Sequence, residues 1–325
     1  MAGPRPGGAG TLVLTVTPNP SIDLLFEAGR LKWDDANRLA DPRRRPGGQG
    51  INVTRAIRVL GGASDAVALL GGGTGRELAG ILAAEDTPLH FVTAAGETRT
   101  FVAVREADTG RSLLLNARGP SRTAADARAL ATLVRDRLAD LRPTWLACCG
   151  SLPAGFEPDF YAELVGLARS AGCRVVVDCD GDALRLAAEA GCDLLVPNQH
   201  EAERLTGRRV SGVDGALGAA QTLCSRGTPL VAVTLGVDGA VLADAGGGHV
   251  RARPPVIAGG SAVGAGDAFL AGLLIALESR EDLQTILVRA VAAATATLRS
   301  RGADLLTADD ARRLVAEVSP ARTRD

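Results

Sequence analysis

The sequence predicts an α/β fold built on a largely parallel sheet, with a small second sheet beside it. Short β-branched runs at 12–17, 66–70, 145–148, 174–178, 194–196 and 230–234 alternate with longer helical patterns, the rhythm of β-α units. Apolar residues make up 46% of a 325-residue chain, enough to bury a substantial core. A glycine-rich stretch at 259–266 also runs straight into an apolar helix, a junction suited to holding an anion.

The first ten residues, MAGPRPGGAG, have no apolar centre and read as a disordered leader. The folded domain is expected over 11–318, with a flexible tail at 319–325. Two segments break the alternating rhythm. One, at 23–46, is polar and uneven; the other, at 98–118, holds strand candidates 101–105 and 112–115 around the turn formers of Ala107-Asp108-Thr109-Gly110. Together they are expected to make a lid. A small sheet with one apolar face needs a cover, so a partner subunit's lid or the mouth of a site is its natural neighbour.

Composition excludes several classes. Lys and Arg number 36 against 37 Asp and Glu, so no overall field favours nucleic acid or an anionic membrane. The apolar run at 268–277 is about half of the ~20 residues that cross a bilayer. None of the six cysteines forms a C-x-x-C pair or a zinc-type spacing with histidine, and they read as buried thiols of a cytoplasmic protein. Neither a P-loop nor a complete G-x-G-x-x-G is present, which disfavours a Walker-type NTPase and an NAD-dependent oxidoreductase.

Two glycine motifs carry the chemistry. In GGSAVGAGDAF at 259–269 the backbone amides at the helix start are unpaired, the positive end of the dipole faces them, and the glycines admit phosphate oxygens. A carboxylate placed beside such a site, Asp267, makes sense as the base that takes a proton from an attacking hydroxyl. In PGGQGINV at 46–53 a loop without bulky side chains precedes an amphipathic helix, and Asn52, read at the helix start, can bond sugar hydroxyls or serve as an ordinary cap. Asp23, in TPNPSID, can also bind two hydroxyls.

These motifs, in this order, resemble the two signatures of the ribokinase or PfkB-type carbohydrate kinases. Further matching residues are TPNPSID at 17–23, Asn37-Arg38, Thr98-Arg99-Thr100, CGSLPAG at 149–155 and PNQHE at 197–201. The likeness covers roughly 11–318 and is greatest to the phosphofructokinase and tagatose-6-phosphate kinase branch. It implies a three-layer αβα sandwich, ATP and Mg²⁺ as cofactors, a sugar phosphate as acceptor and a homodimer formed through lid sheets. Carried over, Asp267 is the general base, and Gly264, Ala265 and Gly266 form the anion hole. Asn198 and Glu201 organise Mg²⁺ through water, while Thr234, Gly236 and Gly239 lie along the nucleotide. Asp23, Gly48 and Asn52 hold sugar hydroxyls, with Arg38, Arg99 and Ser151 near the substrate's existing phosphate. Val196 and Gln49 stand where many relatives have Lys, and Arg118 or the Arg43, Arg44, Arg45 run is a candidate for the missing positive charge. Fructose 6-phosphate is the favoured acceptor, with fructose 1-phosphate and tagatose 6-phosphate as alternatives; a non-catalytic sugar-phosphate sensor is the competing class.

Overall fold

The computed structural model describes residues 12–257, 263–279, 281–299 and 306–320. The expected leader at 1–10, residues 259–262 of the glycine-rich turn and the last five residues of the tail lie outside them. The strands are β1 (Leu12–Thr17), β2 (Ser21–Ala28), β3 (Arg43–Gly47), β4 (Ala63–Leu70), β5 (Leu89–Thr93), β6 (Arg99–Glu106), β7 (Ser112–Asn116), β8 (Trp145–Cys149), β9 (Arg174–Asp178), β10 (Leu194–Leu195), β11 (Leu230–Thr234), β12 (Ala240–Asp244), β13 (His249–Arg253) and β14 (Ser319–Pro320). The helices are α1 (Gln49–Val59), α2 (Gly72–Ala84), α3 (Ala124–Leu141), α4 (Phe160–Ser170), α5 (Gly181–Glu189), α6 (Gln199–Thr206), α7 (Gly212–Ser225), α8 (Ala265–Glu278), α9 (Leu283–Arg299) and α10 (Ala308–Leu314).

The large sheet runs β14-β13-β12-β11-β10-β9-β8-β1-β4-β5. Every neighbouring pair from β11 to β5 is parallel, and β12, β13 and β14 add an antiparallel edge. All six strands expected from the sequence lie in its parallel part. β4 begins three residues earlier than expected, because Ala63 already pairs with Leu12. Ser319 and Pro320, expected in the tail, instead pair with β13.

Period-two alternation explains the layers. In β8, Leu146 and Cys148 pack with Leu14, Val16, Val175 and Val177 under α3 to α7. Trp145, Ala147 and Cys149 point the other way, with Val13 and Val176, beneath α1, α8, α9 and α10. α2 covers the edge of that second face through Leu78 and Leu82. Strands covered on both faces must be nearly all apolar, which is why the sequence reads them as continuous β-branched runs.

The second sheet has the order β3-β2-β6-β7, so both unrhythmic segments do pair into one small sheet. β2 leaves β1 after three residues, which roots this lid at the C-terminal edge of the main sheet. The β2–β3 connection, 29–42, is irregular and mostly exposed.

Close helix packing gives a direct test. A Cβ at Gly272 would lie 2.8 Å from Ala293 Cβ and 3.1 Å from Ala290 Cα, so α8 and α9 approach more closely than a side chain permits. Gly272→Val is expected to lose about 1–3 kcal/mol through overpacking, measured by urea unfolding; unchanged stability would contradict this packing.

Candidate functional site

The C-terminal ends of the parallel strands gather most of the residues singled out above, where open α/β sheets hold ligands. Asp267 lies in the first turn of α8, which begins after Gly264 in a left-handed conformation at φ 83°. The first helical bond there is Ala268 N–H to the Gly264 carbonyl, so the amides just ahead of it have no acceptor within the helix. Among the described residues no side chain caps this end, and the space beside Gly266 is open. The apolar residues that follow bury the helix in the second face of the sheet, fixing its N-terminus at the sheet edge.

Asp267 is 6% exposed. Its Oδ2 accepts a hydrogen bond of 2.8 Å from Asn52 Nδ2. Burial drives its pKa up to about 7; the Asn52 hydrogen bond opposes the rise, the Asp23 charge adds to it and Arg45 opposes it. A carboxylate poised there can take up a proton near neutrality.

Asn52 is not at the helix start. It is the fourth residue of α1, its amide bonds to the Gly48 carbonyl, and its side chain is buried. Its buried Oδ1 has no hydrogen-bond partner among the described residues. Around it the glycines have packing duties that their motif did not disclose. A Cβ at Gly47 would fall 2.0 Å from Asp23 Oδ1, and one at Gly50 would fall 2.5 Å from Thr17 Oγ1. Gly48 has φ 110°, a left-handed conformation that also turns the chain into α1.

Asp23 is buried at the root of the lid. Ser21 Oγ donates to it at 2.7 Å, and Arg45 Nε lies 3.8 Å away. Burial raises its pKa, against that hydrogen bond and the charges of Arg45 and Arg99. Of the arginine run considered as a source of positive charge, only Arg45 faces this site. Arg44 forms a two-pronged pair with Glu77, and Arg43 lies 3.7 Å from Glu27. Arg99 Nε donates to the Asn19 carbonyl at 3.0 Å, and Nη1 to Asn116 Oδ1 and the Ala117 carbonyl. Ser151 Oγ accepts from Asn19 Nδ2 at 3.4 Å, while Arg118 itself is exposed. Arg38 sits on the exposed β2–β3 connection, and no contact joins it to this group among the described residues.

A second group lies along the edge. Asn198 and Thr234 form an isolated parallel bridge, bringing the PNQHE segment beside the turn that holds Gly236 and Gly239. Asn198 caps α6: its Oδ1 accepts from the amides of His200 and Glu201, and Glu201 Oε2 accepts the Asn198 amide at 2.8 Å. Burial raises the Glu201 pKa, and the Asp180 charge adds to this. Gly239 has φ 94° and presses on the Ala252 carbonyl, whereas Gly236 faces open space.

Asp178, at the end of β9, connects the two groups and was missed in the sequence. Burial pushes its pKa well up, helped by Asp267 and Glu201, while a hydrogen bond from Gln49 holds it down. Its position at the C-terminal end of a parallel strand was the available signal. Tyr161 was missed as well; its buried hydroxyl lies 2.9 Å from the carbonyls of Cys149 and Gly150 and steadies the turn leading to Ser151.

Another glycine-opened start, that of α2, is filled from within the protein. At α2 the Glu97 carboxylate is held down to about 2 by the Thr74 hydroxyl and the amides of Thr74 and Gly73. The glycine turn at 71–76 therefore carries its own anion; among the described residues no carboxylate fills the start of α8 in this way.

The three-layer sandwich with its separate lid sheet is the ribokinase-like fold. A family model described as pfkB family carbohydrate kinase matches residues 18–310. The chain is similar to the 1-phosphofructokinase of Rhodobacter capsulatus, 37% identical over 275 residues, 83% of this chain and 85% of that one. It is also similar to the ATP-dependent 6-phosphofructokinase isozyme 2 of Escherichia coli K12, 31% identical over 309 residues, covering 94% and 99%. The solved tetrameric inhibited form of Escherichia coli phosphofructokinase-2 matches with a TM-score of 0.86 at 30% identity, covering 94% of this chain and 99% of that one. The chain therefore belongs to the pfkB family of carbohydrate kinases. It is a sugar kinase, a phosphotransferase.

The raised pKa of Asp267 has a thermodynamic consequence. The folded state holds this proton more tightly than the unfolded chain, so the associated stability is present below about pH 4 and is lost as pH rises through about 7. Asp267→Asn removes the buried charge. It is expected to be more stable than the parent by about 2–4 kcal/mol at pH 9, from roughly 1.4 kcal/mol per pH unit, and nearly equal at pH 4. Urea unfolding at the two pH values checks this; a destabilised variant at pH 9 would contradict it.

Proposed function

We propose that the chain transfers the γ-phosphoryl group of ATP to the free primary hydroxyl of a ketohexose phosphate, with fructose 6-phosphate as the favoured acceptor. The carrying observation is the pairing at the start of α8 of open backbone amides with a buried carboxylate whose pKa is about 7. Each half is chemically incomplete alone. The amides of Gly264, Ala265 and Gly266 stabilise charge on phosphoryl oxygens, and Asp267 takes the proton from the hydroxyl that attacks.

Acceptor binding falls to the groove between lid and sheet. Asp23 and Asn52 Oδ1, which has no partner among the described residues, accept from sugar hydroxyls, and the backbone at Gly48 lets the ring approach. Arg99 and Ser151 face the existing phosphate, for which guanidinium geometry is well matched. Arg38, exposed on its connection, is assigned to the same phosphate, reaching it from the lid of this or a partner subunit. Thr234, Gly236 and Gly239 line the nucleotide.

Among the described residues, no three carboxylate, thiol or imidazole groups converge to hold a metal ion. A cation still fits beside Asn198 and Glu201, because the carboxylates of Glu201 and Asp178 are held there against burial and mutual repulsion. These residues would hold Mg²⁺ through water, as suits an ion that keeps its hydration. When bound, Mg²⁺ supplies positive charge to the phosphate oxygens.

A 1-phosphofructokinase reading is favoured by the higher identity of the Rhodobacter relative, although its match covers less of the chain. Pairing of two lids is supported by Leu114 and Leu115, about half exposed on edge strand β7, and by the assembled state of the Escherichia coli structure. Among the described residues no helix is long and apolar enough to cross a membrane. The six cysteines are buried and unpaired, which suits a reducing cytoplasm.

Coupled ADP release with MgATP and fructose 6-phosphate, fructose 1-phosphate, tagatose 6-phosphate or fructose tests the reading. One phosphorylated ketose should dominate; release with none of them would overturn it. Asp267→Asn should lower turnover by about 10²–10⁴ while ATP still binds. The parent's kcat/KM should fall tenfold per unit on the acid side of about pH 7, where Asp267 is protonated. Near-normal turnover in the variant would remove Asp267 from the role of base.

A further inference from the structure

Asn19 lies in the three-residue connection from β1 to the lid and bonds Arg99 and Ser151, two of the residues assigned to the acceptor's phosphate. Its Nδ2 donates to the Arg118 carbonyl at 3.2 Å and to Ser151 Oγ at 3.4 Å. Its own carbonyl accepts from Arg99 Nε at 3.0 Å. The 116–119 loop closes the arrangement: Asn116 Oδ1 and the Ala117 carbonyl accept from Arg99 Nη1. Gly119, at φ 84°, is packed so tightly that an added Cβ would come within 2.9 Å of Asn19 Oδ1 and 3.3 Å of Arg99 Cδ.

Two guanidinium nitrogens of Arg99 are thus held by protein acceptors. Nη2 has no protein partner among the described residues. The half-buried guanidinium keeps an orientation set by Asn19 on one side and the 116–119 loop on the other. A guanidinium locked at two nitrogens recognises an anion with the third at a fixed place and loses little entropy in doing so.

We propose that Asn19 is a positioning residue that fixes Arg99 and Ser151 relative to each other, and so sets where the acceptor's existing phosphate is held. Asn19 itself needs no contact with the phosphate. This rests on the sugar-phosphate kinase reading above, and binding rather than turnover is therefore the primary readout.

Calorimetry with fructose 6-phosphate, fructose 1-phosphate and fructose, and separately with MgATP, is to be run on the parent, Asn19→Ala, Arg99→Ala and the double variant. Asn19→Ala should weaken the preferred sugar phosphate about tenfold, the scale of one misdirected charge-assisted hydrogen bond, and leave MgATP binding within twofold. The double variant should lose less than the sum of the two single losses, because the part of Asn19's effect that passes to Arg99 through the 116–119 loop is already gone, while the part through Ser151 remains. Losses that add in the double variant, an equal loss for unphosphorylated fructose, or an unchanged sugar-phosphate affinity would each overturn the proposal. Asn19→Asp keeps the side-chain shape but removes both Nδ2 donors; it should show the same sugar-phosphate loss if the alanine variant does not fold. A parent that binds sugar phosphate but releases no ADP would sink the kinase reading while the binding comparison still decides the role of Asn19. A parent that binds no ketohexose phosphate overturns the positioning role directly.

Discussion

The hydrogen bond between Asn52 and Asp267 joins the two glycine motifs, and much of the site depends on it. A carboxylate with this little exposure is costly unless something receives it. The Asn52 amide supplies one donor and no full charge, so the group stays near the point where it can gain or lose a proton. A cation in the same place would pin it as a carboxylate. For the bond to form, α1 and α8 must meet at the sheet edge, and the apolar faces of both helices in the second core layer bring them there. Glycine at positions 47 and 50 lets α1 begin close enough to β1 and Asp23 for that meeting.

Helix N-termini show the same economy of donors. Thr123 caps α3 together with Asp126, Asn198 caps α6 together with Glu201, and Glu97 covers the start of α2. Each end is satisfied from within the protein, as buried or ordered helix ends generally are. Among the described residues α8, like α1, α4, α5 and α7, has no capping side chain, and of these it is the helix whose first turn carries a buried acid, Asp267. Its own first-turn acid is turned to Asn52 and cannot also serve as a cap. An end that looks under-satisfied in the free chain is thereby suited to an external anion.

The lid is tied to this centre electrostatically as well as by chain connection. Asp23 and Arg45 face one another across β2 and β3, and both act on Asp267. Arg99 starts β6 directly beside Ser21 in the register of the lid sheet. Lid strands and Asp267 therefore share one network of charges, and a displacement of the lid would alter the environment of that carboxylate.

Much of this could be read from the sequence. Alternating β-branched and helical segments located every strand of the parallel region that was named, because buried parallel strands must be continuously apolar. The GAGD turn and the helix behind it are local in sequence, so Gly264, Ala265, Gly266 and Asp267 were legible together. Other features were not, because their causes lie far apart along the chain. That Asn52 bonds Asp267 could not be read until α1 was packed against α8. Gly47 and Gly50 looked like ligand-facing backbone, whereas Asp23 and Thr17 fill the space beside them. Arg44 looked like spare positive charge until Glu77 was brought against it. Asp178 carries no motif that marks it, and Asn19, inside TPNPSID, was passed over because its partners at 99, 118 and 151 lie far along the chain. Local pattern determined the elements, the glycine turn that opens α8 and the class of chemistry; only the tertiary structure decided which side chains lie together, because burial and pairing depend on neighbours that the sequence separates by tens to hundreds of residues.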